Sequence, residues 1–191
     1  MNHLLKGINV YLVGMMGAGK TTVGQLLATH LGYRFFDTDT AIEQVANQSI
    51  PEIFATEGED VFRQLETQVL SEVSAYRKLA IATGGGIVLR SVNWSHLHHG
   101  LIVWLDVPAE QLYVRLCRDS TVRPLLQTAD PMNQLVQLLA QRQPLYAQAD
   151  LHISVQVEET PEQVATKVLE AIPSVLKKEV KSPDTFAVDL N

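Results

Sequence analysis

Residues 8–21 run Ile8-Asn9-Val10-Tyr11-Leu12-Val13-Gly14-Met15-Met16-Gly17-Ala18-Gly19-Lys20-Thr21. The run from Ile8 to Val13, rich in β-branched and aromatic side chains, predicts a strand. Gly14 to Thr21 fits the spacing GxxxxGK[ST]. Val23, Leu26, Leu27, His30 and Leu31 then follow at helical spacing as far as Gly32, where a left-handed helix stop is expected. In such a strand, turn and helix, small residues let successive backbone N–H groups curl round a polyphosphate, and the helix turns its positive end toward the same charge. Gly17, Ala18 and Gly19 form the cradle, and Lys20 supplies a movable cation for the β and γ oxygens. Thr21 offers a hydroxyl suited to a bridging Mg²⁺, and Thr22 can donate on the α-phosphate side. The bare letter pattern arises by chance in roughly one chain of this length in a hundred, and the flanking strand and helix lower that further.

Four more short segments along the chain read as strands: Tyr33 to Phe36, Leu79 to Ala82, Leu101 to Leu105 and Leu151 to Val155. Longer stretches at helical spacing separate them, so the chain is read as an α/β fold with a parallel sheet covered on both faces. Ser49 with Glu52, Thr160 with Gln163, and Asp130 before Pro131 mark helix starts. At 191 residues and 46% hydrophobic, the chain suits one domain, taken as 1–176, followed by a tail over 177–191 whose mixed charge and Pro183 suggest disorder. Two segments exceed what simple connections need: 38–75, a candidate substrate-binding region, and 118–130, a candidate lid.

The formal charge of −6 argues against nucleic acid or an anionic membrane as partner, so an anionic ligand must be held by local groups. The single cysteine, Cys117, has no internal partner for a disulfide. It falls in an apolar pattern with Leu112 and Leu116, where a buried thiol is expected, and a reducing cytoplasm fits best. No early apolar run is long enough for an export signal or a membrane span, so the protein is expected to be unexported.

Asp37 and Asp39 end the second strand in Phe35-Phe36-Asp37-Thr38-Asp39, and ligands of open parallel sheets bind at that edge. Two carboxylates one residue apart in an extended segment point the same way. One could hold the Mg²⁺ shell and the other meet a substrate hydroxyl, or both could cap a turn. Thr83-Gly84-Gly85-Gly86 follows the third strand and is either a tight turn or a place where backbone N–H groups approach a ligand. Arg63 with Glu66 reads equally as a helix-surface ion pair. Arg123, inside the candidate lid, could swing over a γ-phosphoryl group, and Arg142 could simply serve a helix carbonyl end. His98 and His99 before Gly100 read as a polar loop in preference to a metal site.

Taken in order, these segments resemble one family. The carriers are Gly14 to Thr21, the Asp37-x-Asp39 pair, Ile53-Phe54-Ala55 through Glu57-Gly58-Glu59, Phe62-Arg63-x-x-Glu66, Thr83 to Gly86, Arg123-Pro124-Leu125-Leu126 and Arg142-x-Pro144-Leu145-Tyr146. From about Ile8 to about Ile172 the chain resembles the shikimate kinases. The resemblance implies a P-loop fold like that of nucleoside monophosphate kinases, a three-layer sandwich with five parallel strands in order 2-3-1-4-5. It implies transfer of the γ-phosphoryl of ATP to the 3-hydroxyl of shikimate, with Mg²⁺, in aromatic amino-acid biosynthesis, by a cytoplasmic monomer.

By the same resemblance, Lys20 and Arg123 stabilise the transferring group, Thr21 ligates Mg²⁺ and Asp37 acts on it through water. Asp39 binds shikimate hydroxyls and is the candidate base. Arg63, Arg142 and the backbone at Gly84, Gly85 and Gly86 hold the acceptor, the two arginines clamping its carboxylate, as guanidinium forks match that shape. The stretch Val157-Glu158-Glu159-Thr160 lacks an arginine that some members carry on the adenine side, so adenine contacts stay unassigned. The residues about Cys117 to Ser120 fall in a variable part of the lid. A gluconate or nucleotide kinase is the nearest rival and the arginine pair argues against it. A non-catalytic relative would be free to lose Lys20, Asp39 or Arg123, all of which are present, and no Asn-Lys-x-Asp guanine-reading sequence occurs.

Overall fold

The computed structural model describes residues 5–119 and 123–179. Five strands, β1 (Val10–Val13), β2 (Arg34–Asp37), β3 (Leu79–Ala82), β4 (Leu101–Asp106) and β5 (Leu151–Ser154), form one parallel sheet in the order β2-β3-β1-β4-β5. The helices are α1 (Lys20–Leu31), α2 (Thr38–Ala46), α3 (Ile50–Thr56), α4 (Glu59–Ser74), α5 (Ser91–Leu97), α6 (Ala109–Arg118), α7 (Pro131–Tyr146) and α8 (Pro161–Glu179). All five expected strands form within a residue or two of the boundaries read from sequence. The order is the one implied by the family resemblance.

The three layers follow from the strand pleat, which sends alternate side chains to opposite faces. Val10 and Leu12 join the cluster with Leu27, Val103, Val168 and Leu169, beneath α1 and α8. Tyr11 and Val13 join Leu70, Ile81, Leu97 and Trp104 on the other side, beneath α4 and α5. A smaller cluster of Ile42, Ile53, Phe62 and Val69 ties α2, α3 and α4 together over the region 38–75. Both faces of the central strands are therefore closed to water, as parallel strands require.

Helix ends obey their capping chemistry. Ser49 and Glu52 form a reciprocal capping box at α3, Thr160 and Gln163 do the same at α8, and Asp130 accepts from the Asn133 N–H at α7. Gly32 ends α1 at φ 63°. Helix α8 runs on to Glu179, into the stretch read as a tail, and 180–191 lie outside the described residues.

Two local expectations are corrected. Cys117 is exposed: on α6 the buried stripe passes through Gln111 and Leu112, with Leu116 half-buried, and one further residue turns the side chain about 100° away from the core. Asp37 and Asp39 do not share an extended segment, because the strand ends at Asp37 and Asp39 already lies in the first turn of α2.

Candidate active site

Because all strands run the same way, Gly14, Asp37, Thr83 and Asp106 emerge at one edge of the sheet. His98 and His99 precede β4 and fall at the opposite edge. The loop after β1 returns tightly into α1. At Gly14, φ is 139° and a β-carbon would lie 2.6 Å from the Leu105 carbonyl oxygen, so only glycine fits this close approach.

Lys20 opens α1 and is 8% exposed. Its ammonium donates to the Gly14 and Met15 carbonyls, both at 2.8 Å. Burial lowers its pKa to about 8, against the pull of Asp39 and Asp37 in the other direction. Thr21 and Thr22 lie one and two residues further on, exposed at the start of the helix. The Thr21 hydroxyl donates to Asp37 Oδ2 at 2.8 Å, while Asp37 Oδ1 caps α2 by accepting from the Asp39 and Thr40 N–H groups. The helix cap and the Thr21 hydroxyl thus use different oxygens of one carboxylate.

Asp39 is half-buried, but its Oδ1 is fully enclosed and has no hydrogen-bond partner. Burial, and next the Asp37 charge, raise its pKa, with Lys20, Arg123 and Arg63 opposing. Glu66 is 0% exposed and likewise carries one unpartnered oxygen. A β-carbon on Gly84 would stand 2.7 Å from both unpartnered oxygens, so the two carboxylates converge over that glycine.

Arg63 is not a solvated surface group. Only 7% exposed, it donates to Glu66 Oε2 and Glu59 Oε1, each at 2.9 Å, and a β-carbon on Gly86 would collide with its guanidinium. Arg142, 3% exposed, lies with Nη1 3.5 Å from the same construction at Gly85. The two arginines, 79 positions apart in sequence, are thus packed against neighbouring glycines. Thr38 fixes the turn by accepting the Gly84 N–H at 3.0 Å.

Two cavities meet here. One of about 110 Å³ is bounded by Asp39, Arg63, Glu66, Arg142 and the three glycines. The other, about 310 Å³, lies over Gly17, Gly19, Lys20, Thr21 and Asp37. Asp39, Arg123, Gly85 and Met16 border both. Arg123 is held there by Asp119 at 3.0 Å, and 120–122 of the lid segment lie outside the described residues.

Two groups escaped the sequence reading. Arg115 on α6 donates toward the Gly17 and Ala18 carbonyls at 3.3 and 3.5 Å, and with Pro161 and Val164 it lines a further cavity of about 290 Å³ beside the phosphate loop. Tyr146 closes α7 and donates to the Gly85 carbonyl at 2.6 Å. Arg115 follows a lone strand-helix junction and carries no local motif. Tyr146 stood within a quoted motif but looked like a core aromatic.

The shikimate kinase family model matches residues 16–173. A shikimate kinase of a Nostoc species is 64% identical over 178 residues, spanning 93% of this chain and 98% of that protein. One of Nostoc punctiforme is 62% identical over 177 residues, spanning 93% and 97%. Among solved structures, the shikimate kinase of Acinetobacter baumannii in complex with shikimate superposes with a TM-score of 0.83 at 41% identity, over 90% of this chain and 96% of that one. With its sheet order, its phosphate loop and its paired arginines, the chain belongs to the shikimate kinase family.

Proposed function

We propose that the protein transfers the γ-phosphoryl group of ATP to the 3-hydroxyl of shikimate, releasing ADP and shikimate 3-phosphate. The observation that carries this reading is the common wall of the two cavities, where Asp39 and Arg123 stand between the phosphate loop and the pocket holding Arg63 and Arg142. A hydroxyl placed at that wall faces the γ-phosphorus on one side and the enclosed Asp39 oxygen on the other.

The acceptor's carboxylate lies between Arg63 and Arg142, whose guanidinium forks match its shape. Its hydroxyls face Asp39 and the Gly84 to Gly86 backbone. The 3-oxygen attacks the γ-phosphorus as the bond to the β,γ-bridging oxygen breaks, and the hydroxyl proton passes to Asp39, whose raised pKa makes it a better acceptor than an ordinary carboxylate. Lys20 and Arg123 offset the charge that develops on the phosphoryl and leaving oxygens. Gly17, Ala18, Gly19 and Thr22 hold the polyphosphate, and the cavity beside them, bordered by Arg115, Pro161 and Val164, is offered as the place for the rest of the nucleotide.

The exposed Thr21 hydroxyl beside Asp37 Oδ2 fits a hard cation with oxygen ligands, so Thr21 and, through water, Asp37 would hold Mg²⁺. Bound there, Mg²⁺ neutralises β- and γ-phosphate charge. The region 38–75 serves as the substrate-binding part and 118–130 as the lid of a single domain. No described helix is long and apolar enough to cross a membrane. A cytoplasmic monomer is part of this reading.

The test is a coupled assay of ADP release with Mg-ATP, offering shikimate, gluconate and a nucleoside monophosphate. Turnover on shikimate alone, lost in Arg63→Ala, is expected. Turnover on another acceptor would keep the kinase and discard the substrate, and ATP binding without turnover on any would discard both.

A further inference from the structure

Tyr146 is a buried phenol that none of the chemistry above uses. It is 0% exposed, and its ring stacks on Trp104 with centroids 6.0 Å apart. Its hydroxyl reaches three parts of the site at once. It donates to the Gly85 carbonyl at 2.6 Å, it lies 3.9 Å from Met15 Sδ in the phosphate loop, and the Arg142 guanidinium is close enough to act on its ionisation.

A hydroxyl has one hydrogen to give and lone pairs to offer. Giving the hydrogen to Gly85 leaves the oxygen's lone pairs as acceptors, and Arg142 lies one turn back along the same buried face of α7. Burial pushes the phenol up to about 12, so it remains a donor throughout the working range. Gly85 borders the acceptor pocket, and its would-be β-carbon lies 3.5 Å from Arg142 Nη1, so the peptide that Tyr146 tethers packs beside the guanidinium.

We propose that Tyr146 is a positioning residue for acceptor recognition: by tethering the Gly85 peptide and lying against Arg142, it fixes the guanidinium in register with the acceptor's carboxylate. Tyr146 itself borders neither cavity. The inference rests on Arg142 binding that carboxylate, and the experiment separates the two claims.

Tyr146→Phe removes one oxygen and keeps the ring on Trp104. Loss of a buried hydrogen bond to a site of this kind corresponds to about a tenfold effect. The variant is expected to raise the KM for shikimate about tenfold, leave the KM for ATP nearly unchanged, and reduce by a similar factor the preference for shikimate over its neutral carboxamide. Arg142→Ala should abolish that preference, with or without Tyr146→Phe. If Arg142→Ala abolishes it and Tyr146→Phe spares it, the tyrosine proposal is wrong and the clamp stands. If Arg142→Ala leaves it intact, both are wrong. A uniform loss for both acceptors and for ATP would mean a purely structural role. Because the variant could fold poorly, meta-fluorotyrosine at position 146 provides a second readout. Its fluorine resonance should move on adding shikimate and stay put with ADP, and no shift with shikimate would overturn the proposal.

Discussion

Replacing Arg63 by alanine tests the buried ion pair as well as the acceptor clamp, and the two effects can be separated. Glu66 is 0% exposed, and burial already raises its pKa, with Arg63 as the first opposing influence. Arg63→Ala strands that carboxylate, and removing one partner of a buried pair costs about 3 kcal/mol. The sign with pH follows from linkage. A carboxyl whose folded pKa lies above its unfolded value binds more protons in the native state, so stability falls as pH rises from the unfolded value through the folded one. The deficit of Arg63→Ala should therefore be larger at pH 8 than at pH 5 in urea unfolding. Glu66→Gln in the same background removes the stranded charge and should restore more than half of the lost stability, while the shikimate KM stays high. Equal stability of Arg63→Ala and the parent chain across this range would refute the ion-pair argument, and recovery of the shikimate KM in the double variant would refute the clamp.

Two further outcomes follow from the phosphate side. With Lys20 near pKa 8 in the free site and polyphosphate raising it, ATP binding should take up protons around pH 8 to 9 and weaken as pH rises above that range; calorimetry in buffers of different ionisation enthalpy reads the uptake directly. Asp37→Asn keeps an effective N-cap on α2 but removes a charge, so unfolding free energy should change by less than about 0.5 kcal/mol while the Mg²⁺ concentration for half-maximal rate rises several-fold.

The architecture was legible because its signals are local. A strand, a glycine turn and an amphipathic helix each announce themselves within a few residues, and the capping residues at Ser49, Asp130 and Thr160 are local chemistry as well. Strand order was not local: nothing between Leu79 and Ala82 says that β3 lies between β2 and β1, and the order came from resemblance. The burial of Arg63 and Arg142 was hidden for the same reason. Each reads as an ordinary helix-surface cation until the turn at Gly84 to Gly86 removes the side chains that would fill the space. Cys117 misled because apolar neighbours at 112 and 116 suggested a stripe that its own turn of helix does not share. Asp37 and Asp39 misled because the strand stops at Asp37, two residues short of what the pair needs.

The site also explains how an acidic chain can bind anions. Lys20, Arg63, Arg115, Arg123 and Arg142 line the cavities, facing Asp37, Asp39 and Glu66. Distant surface carboxylates are screened by water and salt, whereas charges inside a closed pocket are screened far less. Local arrangement therefore outweighs the net charge of −6. Burial leaves the free site electrostatically unsatisfied, with a lysine pressed toward neutrality and two carboxyls pressed toward protonation despite their charged neighbours. A polyphosphate relieves the lysine and an acceptor bearing both a carboxylate and hydroxyls relieves the arginines and Asp39. Neutral sugars could satisfy Asp39 but would bring no carboxylate to the buried Arg142 or to the Arg63 N–H groups beyond those held by Glu59 and Glu66, a penalty that sets the selectivity expected of this pocket.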